Sequence, residues 1–161
     1  MKPTTLHFSM TLALSPVAVV AASHDAKSEH HGIAAASEAP YGRAADPARA
    51  TRSIAIDMSD QLRFTPAQVS VQKGQVVRFV VKNSGQLQHE FVLGTLPGLK
   101  EHAQTMQKHP GMEHDAPQMA HVAPGKARSI TWQFTESGEF YYGCLVPGHF
   151  EAGMLGKVLV R

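Results

Sequence analysis

The amino-acid sequence predicts an all-β fold, a Greek-key β-sandwich broken by one partly helical insertion that bears methionine and histidine. Three observations carry this expectation. Seven short β-branched or alternating segments recur from residue 53 to the end of the chain, with Gly, Pro, Asn or Ser near their ends. One longer stretch, residues 94–126, is too polar and too well supplied with Pro and Gly to read as core strand. A chain of 161 residues with 43% hydrophobic content has enough material for one core and too little for two domains.

Taken in order, the first 22 residues, MKPTTLHFSMTLALSPVAVVAA, run from Lys2 through an apolar stretch between Phe8 and Val20 to the small residues Ala21 and Ala22. That is the plan of a secretory leader. The apolar stretch falls short of the ~20 residues a spanning helix needs, so no membrane span is expected in the mature form. Residues 23–52 are rich in Ala, Ser, His, Pro and Gly without a sustained apolar period, and read as a flexible lead-in to a domain covering 53–161. The net charge of +2 is spread over 15 basic and 13 acidic residues with no basic block, which gives no footing for nucleic-acid binding.

Within the domain, SIAIDM (53–58) alternates, and two β-branched runs at 69–71 and 76–82 flank a turn at Lys73-Gly74. Further strands are expected at HEFVL (89–93), ARSITWQF (127–134), GEFYYG (138–143) and GKVLV (156–160). In the insertion, residues 98–108 suit a short helix, stopped by Pro110-Gly111.

The chain uses cysteine once, in EFYYGCLVPGHFEAGM. Export would put this thiol in an oxidising compartment with no second cysteine to pair with. Cys144, His149 and Met154 follow the spacing C-x4-H-x4-M in the link between two adjacent expected strands, where a tethered loop can turn three side chains toward one point. His89, at the head of the HEFVL strand, is the fourth candidate. Its competitors His102, His109, His114 and His121 do not begin a clearly strand-like segment.

Ligand type then selects the metal. A thiolate favours soft or borderline ions, two imidazoles suit copper or zinc, and a thioether is a weak ligand that copper tolerates at an axial position. His89, Cys144 and His149 with axial Met154 form the set that holds a single electron-transfer copper, cycling between Cu2+ and Cu+. Pro147 and Gly148 would restrict and shape the ligand loop, as would Gly153 before Met154. Phe91, Trp132, Phe140, Tyr142 and Phe150 are near enough in sequence to limit water access, although each ring alone reads as ordinary sandwich core.

The insertion has its own candidates. His102, Met106, His109, Met112, His114, Met119 and His121 could form a second, exchangeable site for Cu+, which thioethers prefer. Two other readings compete with this: the methionines fasten a polar segment to the sandwich while the histidines face water, or the segment docks a copper or redox partner. In the lead-in, cleavage after Ala21 would leave Ala22-Ser23-His24 as an amino-terminal chelator of Cu2+, and cleavage after Ala22 would destroy it.

The stretches HEFVLG at 89–94 and YYGCLVPGHFEAGMLGKVLV at 141–160 closely resemble the cupredoxins, the plastocyanin and azurin superfamily, over roughly residues 53–161. The resemblance implies a Greek-key sandwich with copper near one end, and looks most like periplasmic bacterial cupredoxins associated with copper tolerance. The chain has no second cysteine for a dinuclear centre, and no His-Cys-His or His-x-His motif of a multicopper oxidase. Its ligand loop is longer between Cys144 and His149 than in a typical plastocyanin, which leaves colour and potential open.

The function expected from ligands and resemblance together is an exported mononuclear copper protein, performing one-electron transfer in copper tolerance with a redox or copper-handling protein as partner. The alternatives are a general electron carrier between respiratory or photosynthetic partners, and a non-redox copper chaperone or storage module. A four-ligand cage offers no open coordination position for multi-turnover chemistry, although weak cuprous oxidation by outer-sphere electron transfer is compatible with it.

Overall fold

The β-branched segments pair into two five-stranded sheets in a computed structural model that describes residues 39–110, 112 and 114–161. The expected leader and most of the lead-in lie outside the described residues. The strands are β1 (Gly42–Ala44), β2 (Arg52–Ser59), β3 (Arg63–Thr65), β4 (Gln68–Val71), β5 (Val76–Asn83), β6 (His89–Gly94), β7 (Met119–Val122), β8 (Ala127–Phe134), β9 (Gly138–Gly143) and β10 (Leu155–Val160). One sheet has the order β1-β8-β5-β2-β3 and the other β4-β10-β9-β6-β7. Two parallel pairings, β2 with β5 and β10 with β4, sit among antiparallel ones, so both sheets are mixed.

Alternation along the strands builds the core. Ile54, Ile56 and Met58 of β2 turn inward, as do Val77, Phe79 and Val81 of β5 and Ile130, Trp132 and Phe134 of β8. Opposite them stand Phe91, Leu93, Tyr142, Val158 and Val160. Each such side chain contributes about 1.5–3 kcal/mol by leaving water.

Strand β6 departs from simple alternation because it is buried on both faces. Phe91 and Leu93 join the sandwich core, while Val92 packs with Leu99, Ala103 and Met106 of α1 (Leu96–Lys108) and with Met119 and Leu145. Gly94 permits the approach: a Cβ there would lie 2.9 Å from Leu99 Cγ.

Three boundaries differ from the sequence expectation. Helix α1 starts at Leu96 and not at 98, because Thr95 caps it by accepting the Gly98 N–H at 3.2 Å, and Pro97 fits its first turn. The insertion contains a strand, β7, whose Met119, Ala120 and Val122 are buried once β6 offers an edge to pair with. Residues 39–52, expected within the flexible lead-in, enter the fold: β1 pairs with β8, and buried Tyr41 donates to the Leu93 carbonyl at 2.8 Å. Among the described residues no helix is long and apolar enough to cross a membrane.

Candidate metal centre

Strand pairing places the ligands. Val92 of β6 stands opposite Gly143 of β9, so Cys144, one step beyond, comes off the sheet beside the head of β6. Gly143 in turn faces Leu155 of β10, and the Cys144 N–H donates to the Met154 carbonyl at 3.1 Å. The ligand loop therefore leaves and returns at one level of a continuous ladder.

Inside the loop, short turns fold residues 146–154 back on themselves. The His149 N–H donates to Val146 O at 3.0 Å, and the Met154 N–H to His149 O at 3.0 Å. Gly148 and Gly153 have φ of +88° and +87°, the left-handed region that glycine enters without a side-chain penalty. Arg63 of β3 holds the outer edge by donating to the Ala152 carbonyl at 2.9 Å. Met154 itself is fully buried.

The result is a three-donor pocket. Cys144 Sγ lies 3.3 Å from His149 Nδ1 and 3.9 Å from His89 Nδ1, and the three donor atoms all fall within 4.8 Å of one another. Nitrogen and sulfur ligands at about 2.0 and 2.3 Å from one ion in a trigonal plane would be separated by roughly 3.7 Å, which these spacings bracket. Cys144 and His89 are fully buried and His149 is half-buried. Among the described residues, this is the group of His, Cys and acidic side chains close enough to share an ion.

Burial governs the protonation of the donor groups. Burial pushes the Cys144 thiol up to about 12, and Glu90's negative charge adds to this, against the N–H groups of Glu90 and Val146 that point at the sulfur. Burial, then His89, lowers the pKa of His149, so its ring stays neutral and able to donate a lone pair. A metal ion reverses the cost of the thiolate, since it supplies the positive charge that the buried sulfur lacks. Beneath the pocket Phe91 stacks on Tyr142 at 5.1 Å, and Tyr142 meets Phe64 edge-on at the same separation. Of the five rings noted in the sequence, Phe91, Trp132 and Tyr142 are fully buried, while Phe140 and Phe150 are partly buried.

Among the described residues, the His, Cys and acidic side chains of the insertion do not gather into a comparable group. Met106 and Met119 are buried in the apolar cluster beneath α1, while His109 caps the helix end and is exposed, as is Met112. His121 Nδ1 pairs with Glu90 Oε1 at 3.1 Å. His102 and His114 do meet, with ring centroids 4.7 Å apart, and burial followed by the neighbouring ring lowers the pKa of His102. A cleft of about 580 Å³ reaches from Met106, Met112, His114 and His121 to Val146 of the ligand loop.

Sequence reasoning missed the residues that support the ligands. Asp60, in the turn after β2, approaches His89 Nε2, and the fully buried Asn83 donates to the carbonyls of Leu87 and Val122 at 2.7 and 2.8 Å, bracing the segment before His89. The Glu90 N–H donates to Cys144 Sγ at 3.3 Å. The Asn83-Ser84-Gly85 run signals a turn ahead of the ligand strand, but nothing local marks Asp60.

Fold and site together define a single mononuclear His/His/Cys copper centre of the electron-transfer type, set in a β-sandwich. Residues 50–161 match the model of the copper-binding proteins of the plastocyanin/azurin family, and the chain belongs to that family. It is specifically similar to bacterial copper-resistance proteins. The Copper-resistant cuproprotein CopI of Rubrivivax gelatinosus is 51% identical over 87% of this chain and 86% of its own length. The protein of the same name from Pseudomonas aeruginosa is 34% identical over 75% of this chain and 82% of its own length. Among solved structures, auracyanin from the photosynthetic bacterium Roseiflexus castenholzii shares the fold, with a TM-score of 0.58 at 22% identity, covering 70% of this chain and 98% of that one.

Proposed function

We propose that the protein is exported to the periplasm and serves copper tolerance by moving single electrons through a copper centre that His89, Cys144 and His149 would hold, with Met154 as a further, weaker ligand. The observation that carries this is the convergence of two imidazole Nδ1 atoms on one buried thiol, held by a loop tied at both ends. Copper held by these residues would supply the one-electron redox chemistry. The chain supplies the rest: ladder and turns hold the donor atoms in place, stacked aromatics exclude water from one side, and half-buried His149 offers an edge toward a redox or copper-handling partner. Its CopI relatives, named for copper resistance, support the physiological part. The test is to load the purified protein with copper and record visible and paramagnetic spectra beside Cys144→Ser. An intense thiolate-to-copper band lost in the variant is the expected result; identical spectra would remove Cys144 from the ligand set.

A second reading, capture of Cu+ by the insertion, is favoured by the contact of His102 with His114 beside a cleft that Met112 also lines. Titration of the protein with Cu+ tests it. A second equivalent that disappears in His102→Ala supports capture, and a single equivalent in the parent rejects it.

A further inference from the structure

Resting on the copper reading above, we infer that Asp60 is a positioning residue for the centre: its carboxylate holds the proton of His89 on Nε2, which leaves Nδ1 as the ligand and makes that nitrogen a stronger donor. Asp60 lies 29 residues before His89, in the turn between β2 and β3. Its Oδ1 lies 3.4 Å from His89 Nε2, a little beyond the usual range of about 2.7–3.2 Å, on the side of the ring opposite the Nδ1 that faces Cys144.

The carboxylate is itself fixed. Oδ2 accepts the Gln86 N–H at 2.7 Å, and Oδ1 accepts the Leu87 N–H at 3.1 Å. Gly85 is buried against it: a Cβ at that position would fall 1.9 Å from Oδ1 and 2.6 Å from Cγ. One side chain thus clamps the segment leading into β6 and orients the ring at its head. A carboxylate accepting from the free nitrogen of a ligating imidazole fixes its tautomer and raises its basicity, and losing such a partner costs ~10–100-fold in metal affinity. The negative charge favours Cu2+ over Cu+. Where the affinity loss falls on Cu2+ alone, each tenfold raises the reduction potential by about 59 mV.

The test has two arms. In the metal-free parent, ¹⁵N chemical shifts of the imidazoles should show neutral His89 carrying its proton on Nε2; a proton on Nδ1 overturns the inference however any variant behaves. With copper bound, Asp60→Ala should weaken Cu2+ binding by ~10–100-fold and raise the potential, and Gly85→Ala, which retains the carboxylate but displaces it, should move the potential in the same direction. A lower melting temperature with unchanged potential and tautomer in both variants would make Asp60 a structural clamp only and reject the inference. The thiolate-to-copper band of the parent separates the two levels: its absence sinks the copper reading, whereas its presence beside unmoved potentials sinks only the role of Asp60.

Discussion

The ligand loop from Cys144 to Met154 and the insertion from residue 94 to 126 draw on similar residue types, yet among the described residues the His, Cys and acidic donors close enough to share an ion are the loop's Cys144 and His149 with His89. In the loop, hydrogen bonds from both ends to one ladder hold Cys144 Sγ and His149 Nδ1 3.3 Å apart. In the insertion, Met106 and Met119 are drawn into packing under α1, His121 is taken by Glu90, and His109 and Met112 face solvent. Soft ligands become a site when the backbone leaves them no better partner. An apolar cluster is a better partner for a thioether than an empty position in water.

The strongest way to break this comparison is to remove His89, the ligand that the loop does not supply. His89→Ala should abolish the intense thiolate-to-copper band and weaken Cu2+ binding by more than the ~10–100-fold expected for losing a supporting group, as read by competition titration. A retained band would mean that an imidazole from the insertion had replaced it, and the contrast between the regions would collapse.

Met106→Ala probes the other side. It should cost about 2–5 kcal/mol of unfolding free energy, measured by denaturant titration, and leave the copper spectrum unchanged. A loss of bound copper without a loss of stability would turn Met106 from packing into a ligand.

Met154→Leu tests the proposed ligand role of Met154 against a packing role. The swap nearly conserves volume, so stability should fall by less than about 1.5 kcal/mol. The thiolate-to-copper band should persist while the reduction potential rises, because the cupric form loses a donor. An unmoved potential would show Met154 to be core alone.

The smallest effect is on acid stability. His149 and His102 have folded pKa values below the ordinary value of 6.5, chiefly because they are buried. Below pH ~6.5 the unfolded chain takes up protons that the native rings refuse, so stability present above that pH is lost as pH falls toward the folded values. The midpoint of thermal unfolding of the metal-free protein should therefore drop between pH 7 and pH 5. His102→Gln and His149→Gln should each flatten part of that slope, which tells how much each region contributes.

Much of the cage was legible because its signals are local. The C-x4-H-x4-M spacing, the strand-forming run at HEFVL and the alternation in β2, β5 and β8 depend on neighbours in sequence. What escaped depends on pairing across the fold. The polar composition of residues 94–126 hid β7, whose Met119 and Val122 become core only when β6 lies alongside. Tyr41 read as lead-in because its hydroxyl partner, the Leu93 carbonyl, is 52 residues away. Asp60 looked like any acidic turn residue, since its carboxylate acquires meaning from Gln86, Leu87 and His89.

The Cys144–Met154 hydrogen bond has one more implication. Because the loop begins and ends on the same rung, changes at its residues other than His149, Gly148 and Gly153 should leave the two ends in place. The segment behaves as an exchangeable cassette on a fixed chassis. Substitutions in this segment should alter hue and driving force while the strand pairing beneath stays as it is.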